Sequence, residues 1–230
     1  MNSGLYNYKY SMLGLCKHLV DTKIIQSQQV FDVMCNLDRA NYCPNNPYHD
    51  RAQNINYNVV ISAPHIHGEV LELVRDKIKP GCKVLDIGFG SGYLTVALSK
   101  MMQDKGVVYG IEHIPQLFDF GKTNIMKKDG KLLEEGKIVL IQGDGRNGLP
   151  NHAPFDIIQV GAAAKELPQT LVEQLAPGGR LVIPLGPNQN NQHIWVVDKD
   201  KNGKINAHPT MGVCFVPLTS AKEQLSGGGN

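Results

Sequence analysis

The sequence feature that most constrains the fold is a regular alternation of short apolar runs with amphipathic segments, beginning near residue 64. The runs KVLDIG, GVVYGIEH, KIVLIQGD and FDIIQVGAAA have the length and apolar character of buried strands. Between the first three of them, SGYLTVALSKMM and QLFDFGKTNIMKK have the spacing of helices. Strands that alternate with helices predict an α/β fold with a doubly wound, mostly parallel sheet.

The pattern changes at both ends of this alternation. A helix over PQTLVEQLA should end at the sequence PGG, and RLVIPLG should add a strand. HIWVVDKDKNGKIN predicts a strand, a turn at NG and a returning strand, and MGVCFVPLT predicts one more, so the C-terminal strands should be antiparallel. Upstream, apolar spacing predicts two helices, the second with Ser27 as N-cap, and then an ordered loop rich in proline and asparagine.

Composition and charge narrow the class of protein. A hydrophobic share of 42% is typical of a globular protein. A net charge of +2 is too weak to argue for a nucleic-acid partner, and the lysines and arginines are not clustered with aromatic residues, which disfavours RNA. No apolar run approaches the roughly 20 residues that a membrane helix needs, and we expect no signal peptide and no membrane partner. The five cysteines lack the spacing of a zinc site, so we expect free thiols, no metal and a cytoplasmic location.

The ends of three predicted strands carry acidic residues or glycines. Asp86 ends the first strand and is followed by GFGSG at residues 88–92, which lets the backbone turn sharply and approach a ligand. Glu112 ends the second strand, where such folds hold a ribose diol, and Asp144 ends the third, where a carboxylate can accept from the amine of adenine. A tight turn, a solvated carboxylate and a turn-forming aspartate are the structural alternatives. Together, these positions predict a nucleoside pocket.

Between about Asp38 and Gln224 the chain contains, in this order, NLDRANYCPNNPYHD, ISAPHIH, LDIGFGSGYLT, IEHI, GDGR, VGAAA, LAPGGRLVIPLG and MGVCFVPLT. Together these motifs resemble the protein-L-isoaspartate (D-aspartate) O-methyltransferase family. The glycine loop is shared by many methyltransferases, whereas ISAPHIH together with VGAAA is specific. The resemblance implies a Rossmann-like enzyme that moves a methyl group from S-adenosylmethionine to the α-carboxylate of L-isoaspartyl residues in damaged proteins and peptides, leaving S-adenosylhomocysteine. The methyl ester would then cyclise to a succinimide that reopens partly to aspartate.

The resemblance also implies the residues of the site. Ser62 would take the active-site position, and Glu112 would hold the ribose. The cofactor-binding residues would be Val59, Val60, Ile61, Ser62, His67, Asp86, Ile87, Gly88, Gly90, Glu112, His113, Asp144, Gly145, Thr219 and Gln224. Two residues depart from the family pattern: Phe89 replaces a small residue, and Glu112 stands where many members have aspartate. We expect both to be tolerated if Phe89 points away from the ligand.

The chemistry explains why ISAPHIH need not be a hydrolase motif. A carboxylate has a pKa of about 3.5–4 and is already an anion at neutral pH, so methyl transfer to it needs no general base. Pro64 fits the first turn of a helix, with Ser62 or Ala63 as its N-cap. Ser62 is better interpreted as a hydrogen-bond donor than as a nucleophile, beside N–H groups at a helix start, although it could also be only an N-cap. His65 and His67 lie two apart and do not share a helix face, and we expect a structural role for His65. VVI before Ser62 could line a peptide groove or form a buried strand.

We expect one structural domain, composed of an N-terminal helical segment with a substrate-side loop over residues 1–60, a methyltransferase unit over 61–225 and a flexible tail over 226–230. A monomer is expected. Two alternatives remain open from the sequence: a methyltransferase for another acceptor, and a binding module that keeps the nucleoside pocket without catalysis.

Overall fold

The computed structural model of the chain describes residues 10–226. Its strands are β1 (Gln53–Asn54), β2 (Val60–Ile61), β3 (Lys83–Ile87), β4 (Val107–Glu112), β5 (Ile138–Gln142), β6 (Phe155–Val160), β7 (Leu175–Leu185), β8 (Gln192–Lys199) and β9 (Ile205–Val213). Strands β3 to β9 form one sheet in the order β5-β4-β3-β6-β7-β8-β9, and β1 and β2 form a separate antiparallel pair. The pairings among β3 to β7 are parallel, and those of β8 with β7 and β9 are antiparallel. The predicted doubly wound, mostly parallel sheet with antiparallel C-terminal strands is confirmed.

The helices are α1 (Met12–Asp21), α2 (Gln28–Asn36), α3 (Pro64–Val74), α4 (Tyr93–Met101), α5 (Pro115–Glu134), α6 (Gln169–Glu173) and α7 (Ala221–Leu225). Helices α1 and α2 confirm the predicted helical N-terminal region. As predicted, Ser27 is the N-cap of α2, and its hydroxyl accepts from the backbone N–H of Val30. None of the helices between residues 10 and 226 is long and apolar enough to cross a membrane.

Two local predictions near the C-terminus are wrong. PGG does not follow a longer helix, because α6 ends at Glu173 and β7 already begins at Leu175. The triplet lies within β7, where Gly178 takes a φ of 86° and the pairing with β6 shifts register. MGVCFVPLT is not a strand of its own, because its first residues complete β9. Residues 214–219 then cross the end of the sheet, with one bridge from Pro217 to Ala163.

The core has two parts because successive side chains of a strand point to opposite faces. Val84 joins the larger cluster, which packs α1 to α5 against one face, and Leu85 joins the smaller cluster with α6 on the other. Asp86 has the same orientation as Val84, and Gln159 has that of Ile157, which also belongs to the larger cluster. Both polar residues therefore project on the α3 and α4 side, at the carboxyl ends of β3 and β6.

Candidate active site

A cavity of about 820 Å³ opens at the carboxyl ends of β3 and β6. Its walls come from β2 and the start of α3, from the glycine loop and from the facing ends of β8 and β9. A second, smaller space of about 50 Å³ is lined by the ends of β3 and β4, by Gly145 and by residues around α7. Val59, Gly88 and Gly161 border both, so the two spaces are adjoining parts of one site. Ligands of doubly wound sheets bind at this edge.

The glycine loop is held against the neighbouring strand. The backbone N–H groups of Gly88 and Phe89 donate to the carbonyl of Ile111, and Gly88 and Gly90 take φ angles of 74° and 50°. These left-handed conformations favour glycine, because a Cβ would be strained there. At Gly88 and Gly90 the loop therefore presents backbone without a side chain towards the cavity, as a closely approaching ligand requires.

Phe89, the departure from the family pattern, points away from the cavity centre. Its side chain is 5% exposed, and its ring meets that of Phe118 on α5 with centroids 5.7 Å apart. A Cβ on Gly110 would lie 3.1 Å from the Phe89 ring, and one on Gly121 would lie 2.6 Å from it. Two glycines on β4 and α5 thus make the space that this large ring fills, so the ring packs into the protein although Phe89 also borders the cavity.

Glu112 is buried, and its carboxylate is fixed by backbone donors. Oε1 accepts from the N–H groups of His113 and Ile114 at 2.8 and 3.1 Å, and Oε2 accepts from Gly90 at 3.2 Å. This ties the end of β4 to the glycine loop. The carboxylate borders the small space with one oxygen carrying a single protein bond, which leaves acceptor capacity for a hydroxyl pair.

The C-terminal residues cover the small space. Nε2 of His113 lies 2.7 Å from Oε1 of Gln224, while the amide of Gln224 donates to the carbonyl of Tyr57 at 3.3 Å. Thr219 donates to Glu223, which also forms a capping box with Ser220 at the start of α7. Gln224 therefore joins α7 to the end of β4 and to the turn before β2.

Asp144 and Gly145 have different environments. Both oxygens of Asp144 accept from the guanidinium of Arg146, which holds the pKa of this carboxyl below its usual value. Asp144 also caps the short 3₁₀ helix Gly145–Asn147, and it does not line either space. Gly145 does line the small space, where a Cβ would collide with Ile87. The turn-forming alternative for Asp144 is therefore realised in the structure, whatever further contact it makes.

Ser62 is not the cap of α3. The N-cap is Ala63, without a side-chain cap bond, and Pro64 is the first helical residue. The hydroxyl of Ser62 has no hydrogen-bond partner within residues 10–226 and borders the large cavity. Of the two cap residues that the sequence allowed, Ala63 is the one observed, and the Ser62 hydroxyl is free to donate to a ligand.

The carboxylate of Asp50 binds at the N-terminus of α3. Oδ1 of Asp50 accepts from the backbone N–H of His65 at 2.9 Å and lies 2.8 Å from Nδ1 of the same residue. Burial alone would raise the pKa of Asp50, but these hydrogen bonds outweigh it and the pKa is lowered. His65 thus has the structural role expected of it. One N–H group of the helix start is also occupied, so Ser62 becomes more important as a donor.

A buried arginine, which sequence analysis did not identify, holds the backbone of Ser62 in place. Arg39 is fully buried, and Nη2 donates to the carbonyl of Ser62 at 2.7 Å while Nη1 lies 3.1 Å from Nδ1 of His67. Burial, and then the charge of Arg39, lower the pKa of His67 far below its usual value. His67 is therefore a neutral ring whose Nδ1 accepts from Arg39, stacked on Tyr93 at 4.8 Å.

Asp86 and Gln159 lie side by side at the cavity floor. Burial raises the pKa of Asp86 to about 7, the Thr95 hydroxyl opposes this through a 2.6 Å bond, and the charge of Glu112 adds to the rise. Gln159 is 4% exposed, and its Oε1 has no partner in the described part of the chain. Sequence reasoning missed Gln159, although a lone amide within the apolar run FDIIQVG was a usable signal.

Comparison with known proteins gives the family. The family model described as Protein-L-isoaspartate(D-aspartate) O-methyltransferase matches residues 11–223. This chain belongs to that family. A curated Caenorhabditis elegans relative named protein-L-isoaspartate O-methyltransferase is 43% identical over 210 residues, covering 91% of this chain and 93% of that protein. Protein-L-isoaspartate O-methyltransferase 2 of Arabidopsis thaliana is 45% identical, covering 93% and 70%.

Solved structures agree with the family assignment. A Plasmodium falciparum putative protein-L-isoaspartate O-methyltransferase, crystallised with S-adenosyl-L-homocysteine, is 33% identical, covers 91% of this chain and 98% of its own, and superposes with a TM-score of 0.85. The fold expected from the resemblance is therefore confirmed.

The structure gathers nearly all the site residues expected from the family resemblance into one place. Those that line the large cavity are Val59, Val60, Ile61, Ser62, His67, Asp86, Gly88 and Gly90. Those that line the small space are Val59, Ile87, Gly88, Glu112, His113, Gly145, Thr219 and Gln224. Within VVI, Val60 is exposed and Ile61 is buried, so this segment is a short strand that also borders the cavity.

Proposed function

We propose that this chain is an S-adenosylmethionine-dependent O-methyltransferase that repairs proteins by methylating the α-carboxylate of L-isoaspartyl residues. The observation that carries the proposal is one continuous site, in which the glycine loop and the fixed carboxylate of Glu112 adjoin an open cavity with the unpartnered Ser62 hydroxyl. The relatives' names support the acceptor, and the Plasmodium structure supports the cofactor.

The residues present fit the cofactor's parts. Glu112 would hold the ribose, and Gly145 and the Asp144 turn would lie along the adenine. The backbone of Gly88 and Gly90 would lie beside the methionine part. Oε1 of Gln159 is buried without a hydrogen-bond partner in the described part of the chain, so it could accept a hydrogen bond from the cofactor. When bound, S-adenosylmethionine supplies an electrophilic methyl group and leaves as the neutral thioether S-adenosylhomocysteine.

What the protein itself must do is position the substrate. The substrate carboxylate is ionised at neutral pH, so no side chain has to remove a proton. Ser62 donates a hydrogen bond that orients this carboxylate, and Arg39 fixes the Ser62 backbone through its carbonyl. Holding reacting groups in line contributes up to about 7–11 kcal/mol to lowering a barrier. The product ester then needs no enzyme, because the adjacent backbone nitrogen attacks the ester carbonyl, loses its proton and expels methanol as the succinimide closes.

The remaining expectations belong to the same proposal. The segment 1–60 would form the substrate side of the site, since Asp50 and Arg51 lie at the cavity wall, while 61–225 would be the methyltransferase unit. The tail from 226 lies almost wholly outside the described residues. We propose a cytoplasmic monomer without a nucleic-acid partner, in keeping with a net charge of +2. Light scattering after size exclusion would test the monomer.

A paired-peptide assay tests the function. The protein is incubated with S-adenosylmethionine labelled in its methyl group and with two peptides that differ only in an isoaspartyl or a normal aspartyl linkage. We expect base-labile label on the isoaspartyl peptide alone. Equal labelling of both would reject the repair assignment, and cofactor binding without label on either peptide would favour a binding module.

A further inference from the structure

The side-chain amide of Gln159 is buried without hydrogen-bond partners among the described residues of the free protein. It lies in the central strand β6, is 4% exposed and borders the large cavity, yet its amide makes no hydrogen bond within residues 10–226 and its Oε1 is buried. Buried polar groups are nearly always hydrogen-bonded, so an orphan needs an explanation. A ligand that donates a hydrogen bond inside the cavity is the explanation that this placement favours.

Asp86 occupies the matching position on the next strand. Asp86 and Gln159 are register partners in the parallel pairing of β3 with β6, and partners in such a ladder point to the same face. Thr95 donates to Oδ2 of Asp86, and no hydrogen bond within residues 10–226 engages Oδ1. A carboxylate oxygen and an amide oxygen are thus neighbours on the cavity floor, and both are acceptors.

The charge around this pair shows which donor fits. The charge that acts on the pKa of Asp86 is that of Glu112, another carboxylate, and it raises this pKa. Arg51, an exposed residue at the wall, is the one lysine or arginine that lines the large cavity in the described part of the chain. Two carboxylates and an amide oxygen in a buried region, with no cation among them, complement a small cationic group with several N–H donors.

We propose that Gln159 and Asp86 form the subsite for a primary ammonium group, the amino group of the cofactor's methionine part. The inference rests on the proposed function for the identity of the cofactor and extends it by assigning Gln159. Gln159 accepts one N–H of the ammonium through Oε1, and Asp86 accepts another through the oxygen that Thr95 leaves open. The backbone of the glycine loop lies beside the part of the cofactor that carries the ammonium group.

Calorimetric binding of product analogues to Gln159→Met tests this assignment. S-adenosylhomocysteine carries both the amine and the carboxylate, S-adenosyl-3-thiopropylamine keeps only the amine, and 4-(adenosylthio)butanoate keeps only the carboxylate. The variant should bind both amine-bearing ligands at least about tenfold more weakly, because a hydrogen bond to a charged group is lost. Binding of 4-(adenosylthio)butanoate should stay within about twofold.

A stability measurement separates a ligand contact from a structural role. Gln159 has no partner to lose in the free protein, so Gln159→Met should not lower the melting temperature, while the shift caused by S-adenosylhomocysteine should shrink. Gln53→Met is the matched control, because Gln53 is another buried glutamine with an unpartnered amide atom but does not line either space. It should leave all three dissociation constants unchanged.

Several outcomes overturn the assignment. Equal weakening of all three ligands would mean a general disturbance, and weakening confined to the carboxylate-bearing ligands would place Gln159 at the carboxyl group. Unchanged affinity for the amines would remove Gln159 from the site. The proposed function fails separately: amine-selective loss in Gln159→Met, together with no labelling of isoaspartyl peptides by the wild type, would leave the ammonium subsite standing and reject the repair activity.

Discussion

Glu112→Gln is the sharpest probe of the nucleoside pocket, because it keeps the shape of the side chain and removes its charge. The carboxylate accepts from three backbone N–H groups, two at Oε1 and that of Gly90 at Oε2. An amide has one acceptor oxygen. If that oxygen stays with His113 and Ile114, the new NH₂ group faces the N–H of Gly90 and can no longer accept from a ribose hydroxyl.

The magnitude follows from these lost bonds. Losing a hydrogen bond to a charged acceptor costs about 1.5–3 kcal/mol, which corresponds to a weakening of cofactor binding by about 10- to 100-fold. Leaving the Gly90 donor unpaired in a buried place should lower the free energy of unfolding by about 1–3 kcal/mol. The effect on binding should be the same for S-adenosylhomocysteine and for 5′-methylthioadenosine, since both contain the ribose.

The assay is calorimetric titration of both ligands into the variant, with urea unfolding of the free protein alongside. Glu134→Gln, at the exposed end of α5, is the control for loss of a glutamate charge and should change neither quantity. Unchanged dissociation constants for both ligands in a folded Glu112→Gln protein would refute the ribose role. A selective loss of S-adenosylhomocysteine binding would also refute it, because the methionine part alone would then be affected.

Three further predictions concern turnover, pH and packing. Ser62→Ala should lower kcat on an isoaspartyl peptide by about 10- to 100-fold without abolishing it, and a complete loss in a folded variant would show a direct chemical role for the hydroxyl. The pKa of Asp86, near 7 in the free protein, exceeds its value in an unfolded chain, so its contribution to stability should be lost as the pH rises from about 4 to 7. Over the same pH range, the affinity for S-adenosylhomocysteine should rise, and binding should release a proton from Asp86, which calorimetry in buffers of different ionisation enthalpy can measure. The neighbouring His67 stays neutral and would not contribute to this proton release, so an affinity that does not depend on pH would contradict the prediction. Gly110→Ala would place a Cβ 2.9 Å from Leu140 and 3.1 Å from Phe89, which should lower the free energy of unfolding in urea by about 1–3 kcal/mol. Adding Phe89→Leu should restore part of this stability, whereas strictly additive losses would show that the two residues do not share the space.

The sheet and the ligand edge could be predicted because their signals are local. Each parallel strand is a continuous apolar run that stops at an acid or a glycine, as in KVLDIG and GVVYGIEH. Asp86 and Glu112 therefore end adjacent strands, and parallel strands bring such ends to one edge. The expected cluster of functional residues around the glycine loop followed without any knowledge of loops elsewhere in the chain.

The failures arose where distant pairing overrides local chemistry. PGG is a strong stop signal, yet β7 pairs with β6 on both sides of it and absorbs Gly178 as an irregularity within the strand. Arg39 could not be assigned from its neighbours in sequence, because its partners Ser62 and His67 lie 23 and 28 residues away. The sequence left the cap of α3 open between Ser62 and Ala63, and the structure selects Ala63 because Pro64 is the first helical residue.

The residues that define this site also destabilise the free protein. Asp86 is buried enough to hold its proton near neutral pH, and the Gln159 amide has an orphaned oxygen that costs about 1–3 kcal/mol. A chain selected only for stability would fill these two positions with apolar side chains, as Ile157 does one pleat earlier on β6. A bound ammonium would satisfy both acceptors at once, so the free energy lost in the empty site reappears as affinity for the ligand. Stability without ligand and affinity for ligand should therefore change in opposite directions when Gln159 is made apolar, whereas an apolar residue at Asp86 would also leave the buried Thr95 hydroxyl without its partner.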